Sequence, residues 1–427
     1  MLFKAAAGGN DRGETGTRID MDLWAITWDW LALAIRWLHI ITAIAWIGSS
    51  FYFIALDLGL RQRPGLPEGA HGEEWQVHGG GFYHIQKYLV APAAMPEHLT
   101  WFKWESYWTW MSGFLMLAIV YYAGADLYLV DRSVLDISAN TAIIISLASL
   151  GVGWLIYDAL CKSPLGKSDV GLMVFLYVAL VAMGWAYTQV FTGRAAFLHL
   201  GAFTATIMSA NVFFIIIPNQ KKVVAALKAG EKPDPALGKQ AKQRSLHNNY
   251  LTLPVLFFML SNHYPLAFAT QYNWVIAALV FLIGVLIRHF FNSMHARKGT
   301  PYWTFVAAAV IFALIAWLSG FGAAVPEDRE EAAIPAAQMA YVNSPHFETV
   351  RDTVLGRCSM CHAAEPVWEG IPVAPKNVML DTDATIVQHA RDIYLQSGAS
   401  HAMPPGNVTE ITPEERALIV AWFRDAQ

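Results

Sequence analysis

Eight stretches of this chain before residue 322 run apolar for about the length needed to cross a bilayer, and that repetition sets the fold class before any motif is read. A bilayer core about 30 Å thick is spanned by about 20 apolar residues in a helix. Inside it every backbone N–H and C=O must be paired within the segment, which leaves the helix as the default for single spans. The stretches lie near 30–58, 107–127, 142–160, 170–191, 195–217, 246–262, 274–291 and 302–321. With 55% hydrophobic and 15% charged residues, the composition excludes an ordinary soluble domain. The predicted fold is all-α: an eight-helix transmembrane bundle over 30–322, followed by a small all-α domain over 341–427. Residues 1–29 read as a polar tail; the first twenty lack the apolar core of a cleavable signal peptide, and Met21 is a second candidate start. Residues 323–340, rich in Pro, Ala and Glu, read as a linker.

The C-terminal segment carries Cys358-Ser-Met-Cys361-His362. Two cysteines two apart followed by histidine are the attachment signal of a c-type haem, with the histidine as axial ligand. A zinc half-site would want two further ligands at similar spacing, and the remaining cysteine, Cys161, is remote. A thiol redox pair would want a βαβ setting. Met403, ahead of Pro-Pro-Gly, is the expected sixth ligand, with His401 and His389 as rivals. The last helix has a legible start: Thr412 as cap, Pro413 first, Glu415 three after the cap. Its apolar face is Leu418, Ile419, Trp422 and Phe423.

Haem c is attached outside the bacterial cytoplasmic membrane, which makes the C-terminus periplasmic; eight spans then make the N-terminus periplasmic too. On that count the cytoplasmic connections hold fifteen Lys and Arg against two in the short external loops, the asymmetry expected of an inner-membrane protein. The net charge of −4 gives no basis for nucleic-acid binding.

Ionisable side chains within spans usually mark function. In the first span Arg36, His39, Ala43, Trp46, Ser50 and Asp57 share one face at helical spacing, so that face should look into the bundle. His39, His199 and His263 fall in the outer half and His289 in the inner half. Two depths suit one or two haems b, His39 with His199 or His263 outside and His289 with His84 or another inner histidine inside; histidines hydrogen-bonded without metal are the competing reading. The first cytoplasmic connection gathers His71, His78, His84, Lys87, Glu97, His98 and many aromatics around Gly79-Gly80-Gly81. That mixture suits a planar, hydrogen-bonding substrate, or else an interfacial helix with an aromatic belt.

Residues 36–53 (Arg-Trp-Leu-His…Gly-Ser-Ser-Phe-Tyr-Phe), 78–105 (His-Gly-Gly-Gly-Phe-Tyr to Trp-Phe-Lys-Trp-Glu) and 247–265 (His-Asn-Asn-Tyr-Leu-Thr-Leu-Pro with Ser-Asn-His-Tyr-Pro) resemble the membrane-bound bacterial urate oxidases. The resemblance implies an eight-helix membrane domain fused to a cytochrome c. It implies oxidation of urate to 5-hydroxyisourate in purine breakdown, with electrons leaving to a soluble cytochrome c or terminal oxidase and no peroxide formed. His78, His84, Glu97 and His98 are then the candidate acid/base or substrate-contacting residues. A non-enzymatic membrane cytochrome passing electrons from a quinol or partner dehydrogenase is the alternative, and the acid/base-rich connection argues against it.

Overall fold

A computed structural model describes residues 12–88, 96–132, 134–321, 334–371 and 373–426, with side chains from residue 26 on. The predicted linker lies largely outside these residues, as do residues 1–11 of the predicted tail. The chain divides into two compact units, one running from Ile35 to Ala323 and the other comprising the remaining described residues.

The structure is mostly helical. Helix α1 runs Arg12–Gly59, so residues 12–29, expected as a tail, are helical. No proline occurs before Pro64, so the segment holds no residue that forbids a helix, although Gly13 and Gly16 weaken its first turns. Helix α2 (Trp104–Met116) ends in a π-helical turn, Leu117–Tyr122, followed by the short α3 (Ala125–Tyr128). Helices α4 (Ala139–Lys162) and α5 (Asp169–Thr188) are capped by Ser138 and Ser168. Helix α6 (Gly193–Ala210) continues through a second π-helical turn, Asn211–Ile216, into α7 (Ile217–Lys228). Then come α8 (Pro235–Ser261), α9 (Asn273–His295) and α10 (Trp303–Ser319).

Every predicted span is helical, but among the described residues five helices are long and apolar enough to cross a membrane: Ile26–Gly59, α4, α5, Gly193–Lys228 and α9. Helix α10 is apolar but 17 residues long, and α8 has a polar first half. Helix α6 is central. Its segment buries 56% of its most apolar window against 11% for α1, and it packs on α2, α4, α5 and α8. Two glycines permit close crossings: a Cβ on Gly153 of α4 would lie 2.0 Å from the Phe203 ring of α6, and one on Gly284 of α9 would lie 2.5 Å from Pro254 of α8.

The expectation of an all-α chain is corrected in the first connection. Strands β1 (Ala70–His78) and β2 (Gly81–Tyr88) form an antiparallel hairpin. Gly79 and Gly80 form its two-residue turn with φ of 58° and 79°, the positive values that a type I′ turn demands and that glycine adopts without strain. Glu73, Trp75 and Val77 project to one face and Glu74 and Gln76 to the other. Arg61 adds a bridge, its N–H donating to the Glu73 carbonyl and accepting in return, both at 2.8 Å.

In the C-terminal unit, α11 (Met339–Val342), α12 (Phe347–Arg357), α13 (Asp383–Gln388), α14 (Ala390–Ile393) and α15 (Pro413–Asp425) enclose their own core. Ile419, Trp422 and Phe423 of α15 are buried in it with Phe347, Val350 and Val354. The Thr412 capping box forms as read: Glu415 N–H donates to Thr412 Oγ1 at 3.2 Å, and Thr412 N–H to Glu415 Oε2 at 2.7 Å. Thr412→Ala should cost this unit about 1 kcal/mol, read as a lower melting midpoint. An unchanged midpoint would mean α15 is held by its packing alone.

Candidate active site under the hairpin

Three elements converge at one end of the larger unit: the last turns of α1, strand β1 and the last turn of α9. Between them lies a cavity of about 470 Å³ lined by Tyr52, Arg61, Arg63, Glu73, Glu74, Trp75, Gln76, His295 and Arg297, among others. Small-molecule sites are typically about 300–1,000 Å³. Three arginines against two glutamates leave it with a formal positive excess, which favours an anion.

Its polar groups divide into committed and open ones. Glu73 is committed: Oε2 lies 2.7 Å from His84 Nε2, and Oε1 lies 3.6 Å from Arg63 Nε. His84 stacks on Trp75, the residue opposite it in the ladder, with ring centroids 4.2 Å apart and planes 9° from parallel. Tyr52 OH donates to Gln76 Oε1 at 2.7 Å, and Gln76 Nε2 donates to Glu74 Oε1 at 3.3 Å. Two atoms are left over: Glu74 Oε2 and His295 Nδ1 are buried and have no hydrogen-bond partner. A buried polar atom without a partner costs about 1–3 kcal/mol. Two on one polar cavity mark it as shaped for a ligand rather than for stability.

Of the predicted catalytic residues, only His84 belongs to this construction, and it acts through Glu73. His78 closes the hairpin turn opposite Gly81 and is exposed. Glu97 and His98 are exposed, and the backbone carbonyl of Glu97 accepts from Lys228 Nζ at 3.2 Å. Asp57, expected on the buried face of α1, is exposed and pairs with Lys87 at 2.5 Å. None of the cavity-lining residues was in the predicted catalytic set, and the acid/base groups it missed are Glu73, Glu74 and His295.

The histidines of the bundle are dispersed. His39 is buried, its Nδ1 donating to the Thr109 carbonyl at 3.0 Å and lying 3.1 Å from Ser112 Oγ. His199 is fully buried among Tyr121, Tyr187 and Phe191, with Nδ1 donating to the Ala195 carbonyl at 2.8 Å. His263 and His289 are exposed, His289 lying beside Trp303. In the C-terminal unit Cys358 and Cys361 are free thiols, and His362 Nδ1 donates to the Val378 carbonyl at 2.9 Å. Burial pushes the Cys358 thiol up to about 12 and raises that of Cys361. Burial also lowers the pKa of His362, against the opposing pull of the Val378 carbonyl. The Met403 carbonyl accepts from Arg416 Nη1 at 2.9 Å.

These positions bear on the expected cofactors. Haem c was expected on Cys358, Cys361, His362 and Met403, and one or two haems b on His39, His199, His263 and His289. Both expectations are corrected: among the described residues no group of three or more His, Cys, Asp or Glu side chains stands together as could hold a metal ion. Each of these histidines instead has its own local surroundings.

A separate buried cluster lies where the C-terminal end of α4 meets the first half of α8, and there Arg244 Nη2 donates to Asp158 Oδ1 at 2.7 Å. The arginine also lies over the Tyr157 ring, 4.8 Å from its centroid. Asn211, in the second π-helical turn, donates to Tyr157 OH at 3.0 Å, which directs the phenol proton toward His247 Nδ1 at 2.7 Å.

A mainly helical, strongly apolar chain with an arginine-rich polar cavity at one end of its bundle defines a class: an apolar multi-helix protein with a site for a small polar anion. The Urate oxidase N-terminal family model matches residues 25–319, and the chain belongs to that family. No curated protein and no solved structure matches it. Membership implies an oxidoreductase and points to urate as its substrate, and the five apolar helices are compatible with a membrane protein.

Proposed function

We propose that this chain is a membrane-bound urate oxidoreductase whose active site is the cavity under the hairpin. Urate and water become 5-hydroxyisourate: a C–O bond forms at C5, two electrons leave the ring and two protons are released. The electrons go one at a time to a respiratory one-electron acceptor outside this chain that approaches the cavity itself, and no peroxide forms. The Lys and Arg carried by the first connection and its partners on the same side support placing the hairpin, and with it the cavity, on the cytoplasmic side, where purine breakdown supplies urate.

The reading is carried by Glu74 Oε2 and His295 Nδ1, two buried atoms without hydrogen-bond partners on residues that line a cavity with a positive excess. Urate is a planar monoanion at neutral pH that must lose protons as it is oxidised. Glu74 Oε2 is the acceptor for a proton from urate or the attacking water. Arg61, Arg63 and Arg297 hold the anion, and the Trp75 face offers a stacking surface. His84 is a positioning residue: it fixes Glu73, whose backbone is tied to Arg61.

The test is anaerobic turnover of the purified chain with ferricyanide as the electron acceptor. Because the oxidation releases a pair of electrons and each ferricyanide takes one, every urate consumed should reduce a pair of ferricyanide ions, and in air no peroxide should appear. Absence of urate-dependent ferricyanide reduction, or consumption that requires oxygen and yields peroxide, would refute the proposal.

A further inference from the structure

Helices α7 and α9 end in the same hydrogen-bonded turn, built on different residues. After α7 the N–H of Gly230 donates to the Leu227 carbonyl at 3.1 Å and that of Glu231 to the Ala226 carbonyl at 2.8 Å. After α9 the N–H of Arg297 donates to the Met294 carbonyl at 3.0 Å and that of Lys298 to the Ser293 carbonyl at 2.9 Å. In this motif the residue past the cap turns left-handed, and φ is 73° at Gly230 and 54° at Arg297. Glycine takes that conformation freely, whereas a residue with a Cβ is strained by it. Among the described residues of the larger unit, Arg297 is the only non-glycine residue with positive φ. Strain of this kind gathers at active sites and ligand clamps, where the surrounding structure holds it in place.

What the arginine has and a glycine lacks is a guanidinium at the cavity. Arg297 lines it together with His295, close before it in the chain. Of the other arginines there, Arg63 is engaged by Glu73 at 3.6 Å. Arg61 is fixed through its backbone, which exchanges both hydrogen bonds with Glu73. Among the described residues the guanidinium groups of Arg61 and Arg297 have neither a hydrogen-bond nor a carboxylate partner. They belong to different walls, Arg61 to the segment that leads into the hairpin and Arg297 to the end of α9, so one anion can be held from both.

We infer that Arg297 is the specificity-determining residue of the cavity, kept at a strained helix end so that its guanidinium selects planar, singly charged heterocycles over neutral ones of similar shape. A planar fork of N–H donors matches the delocalised negative edge of such a ring, where a lysine would offer only a point charge. The same residue sets stability against binding: its replacement by glycine relaxes the helix end and forfeits the anion. With urate as the occupant, the inference deepens the oxidoreductase reading above and rests on it.

The experiment compares Arg297→Gly with the unaltered full chain by thermal melting, by urate kinetics and by binding of two probes: oxonate, a planar anion, and hypoxanthine, a neutral purine. Losing a charge-assisted contact should weaken oxonate by about 10- to 100-fold and raise the KM for urate more than it lowers kcat. Hypoxanthine affinity should hold, and the melting midpoint should hold or rise as the strain is relieved. Unchanged oxonate affinity would remove Arg297 from the site, equal weakening of both probes would assign it a structural role, and a lower midpoint would contradict the strain; each result overturns the inference. Arg297→Asn is the second variant, because asparagine tolerates the left-handed conformation without carrying the charge. It should lose oxonate as Arg297→Gly does, and retention of oxonate in Arg297→Asn would trace the loss to the backbone and sink the inference. Because the probes are read by binding, a chain that binds oxonate through Arg297 yet oxidises no urate would fail only the function proposed above.

Discussion

Glu74→Gln is expected to lower urate turnover by about 10²- to 10⁴-fold, the range spanned by loss of a positioned general base, while the hairpin stays folded. The substitution keeps the shape and the acceptor that receives Gln76 Nε2. It removes the negative charge and basicity from the oxygen that has no partner. A second variant reaches the same oxygen without touching a titratable group. Gly59, the last residue of α1, lies so close that an added Cβ would stand 2.5 Å from Glu74 Oε2. Gly59→Ala should therefore displace the carboxylate and lower kcat, with urate binding held by the arginines. Glu73→Gln is the contrast: its carboxylate is already engaged by His84 and Arg63, so its loss loosens the hairpin and raises KM more than it lowers kcat. Near-normal kcat in Glu74→Gln would assign proton removal to another group, His295 being next in line.

Why Glu74 escaped the sequence reading, while the helices did not, comes down to periodicity. Long apolar runs leave few choices, and each predicted span is a helix here. The Thr412 capping box is equally local, needing only Thr, Pro and Glu at fixed offsets, and it forms with both bonds. The hairpin was also legible: Trp75 and Val77, then Gly79-Gly80, then Phe82, is an alternating pattern around a two-residue glycine turn. Read for composition instead of period, it yielded the histidines and hid Glu74. Within α9 the histidine drew notice and its neighbour did not, yet one residue is a 100° rotation on a helix: His289 faces outward and Arg288 inward. His295 carries no signal of its own, because the cavity it shares with Glu74 is built by long-range packing that no local pattern encodes. The family resemblance read from residues 36–53, 78–105 and 247–265 agrees with the match over 25–319, whereas the haem expectations built on spacing and depth do not survive.

Asp158→Asn should cost about 3–5 kcal/mol, the penalty for leaving a buried charge without its partner. Against a total stability of about 5–15 kcal/mol, that is enough to deplete the folded chain. Arg244 is 3% exposed and has one carboxylate, Asp158, at 2.7 Å. With that carboxylate neutralised, a guanidinium remains sealed over the Tyr157 ring. The opposite single change should be milder. In Arg244→Met, Asp158 keeps Lys162 at 2.6 Å, and that lysine is 58% exposed, so the remaining pair borders water. The double variant Asp158→Asn with Arg244→Met removes both charges and should recover most of the loss, because replacing a buried pair with apolar or neutral groups is often close to neutral. Thermal melting of the detergent-solubilised chain reads all three, with the order Asp158→Asn lowest, Arg244→Met intermediate and the double variant near the unaltered chain. Additive loss in the double variant would show that the two side chains do not act as a pair, and an Asp158→Asn midpoint equal to the parent would show that water reaches Arg244. Asn211 connects this pair to Tyr157 and His247 from the π-helical turn of α6. A milder cost than expected, with the Tyr157 to His247 bond intact, would therefore place the specification of that turn in the amides, with the ion pair contributing charge balance alone.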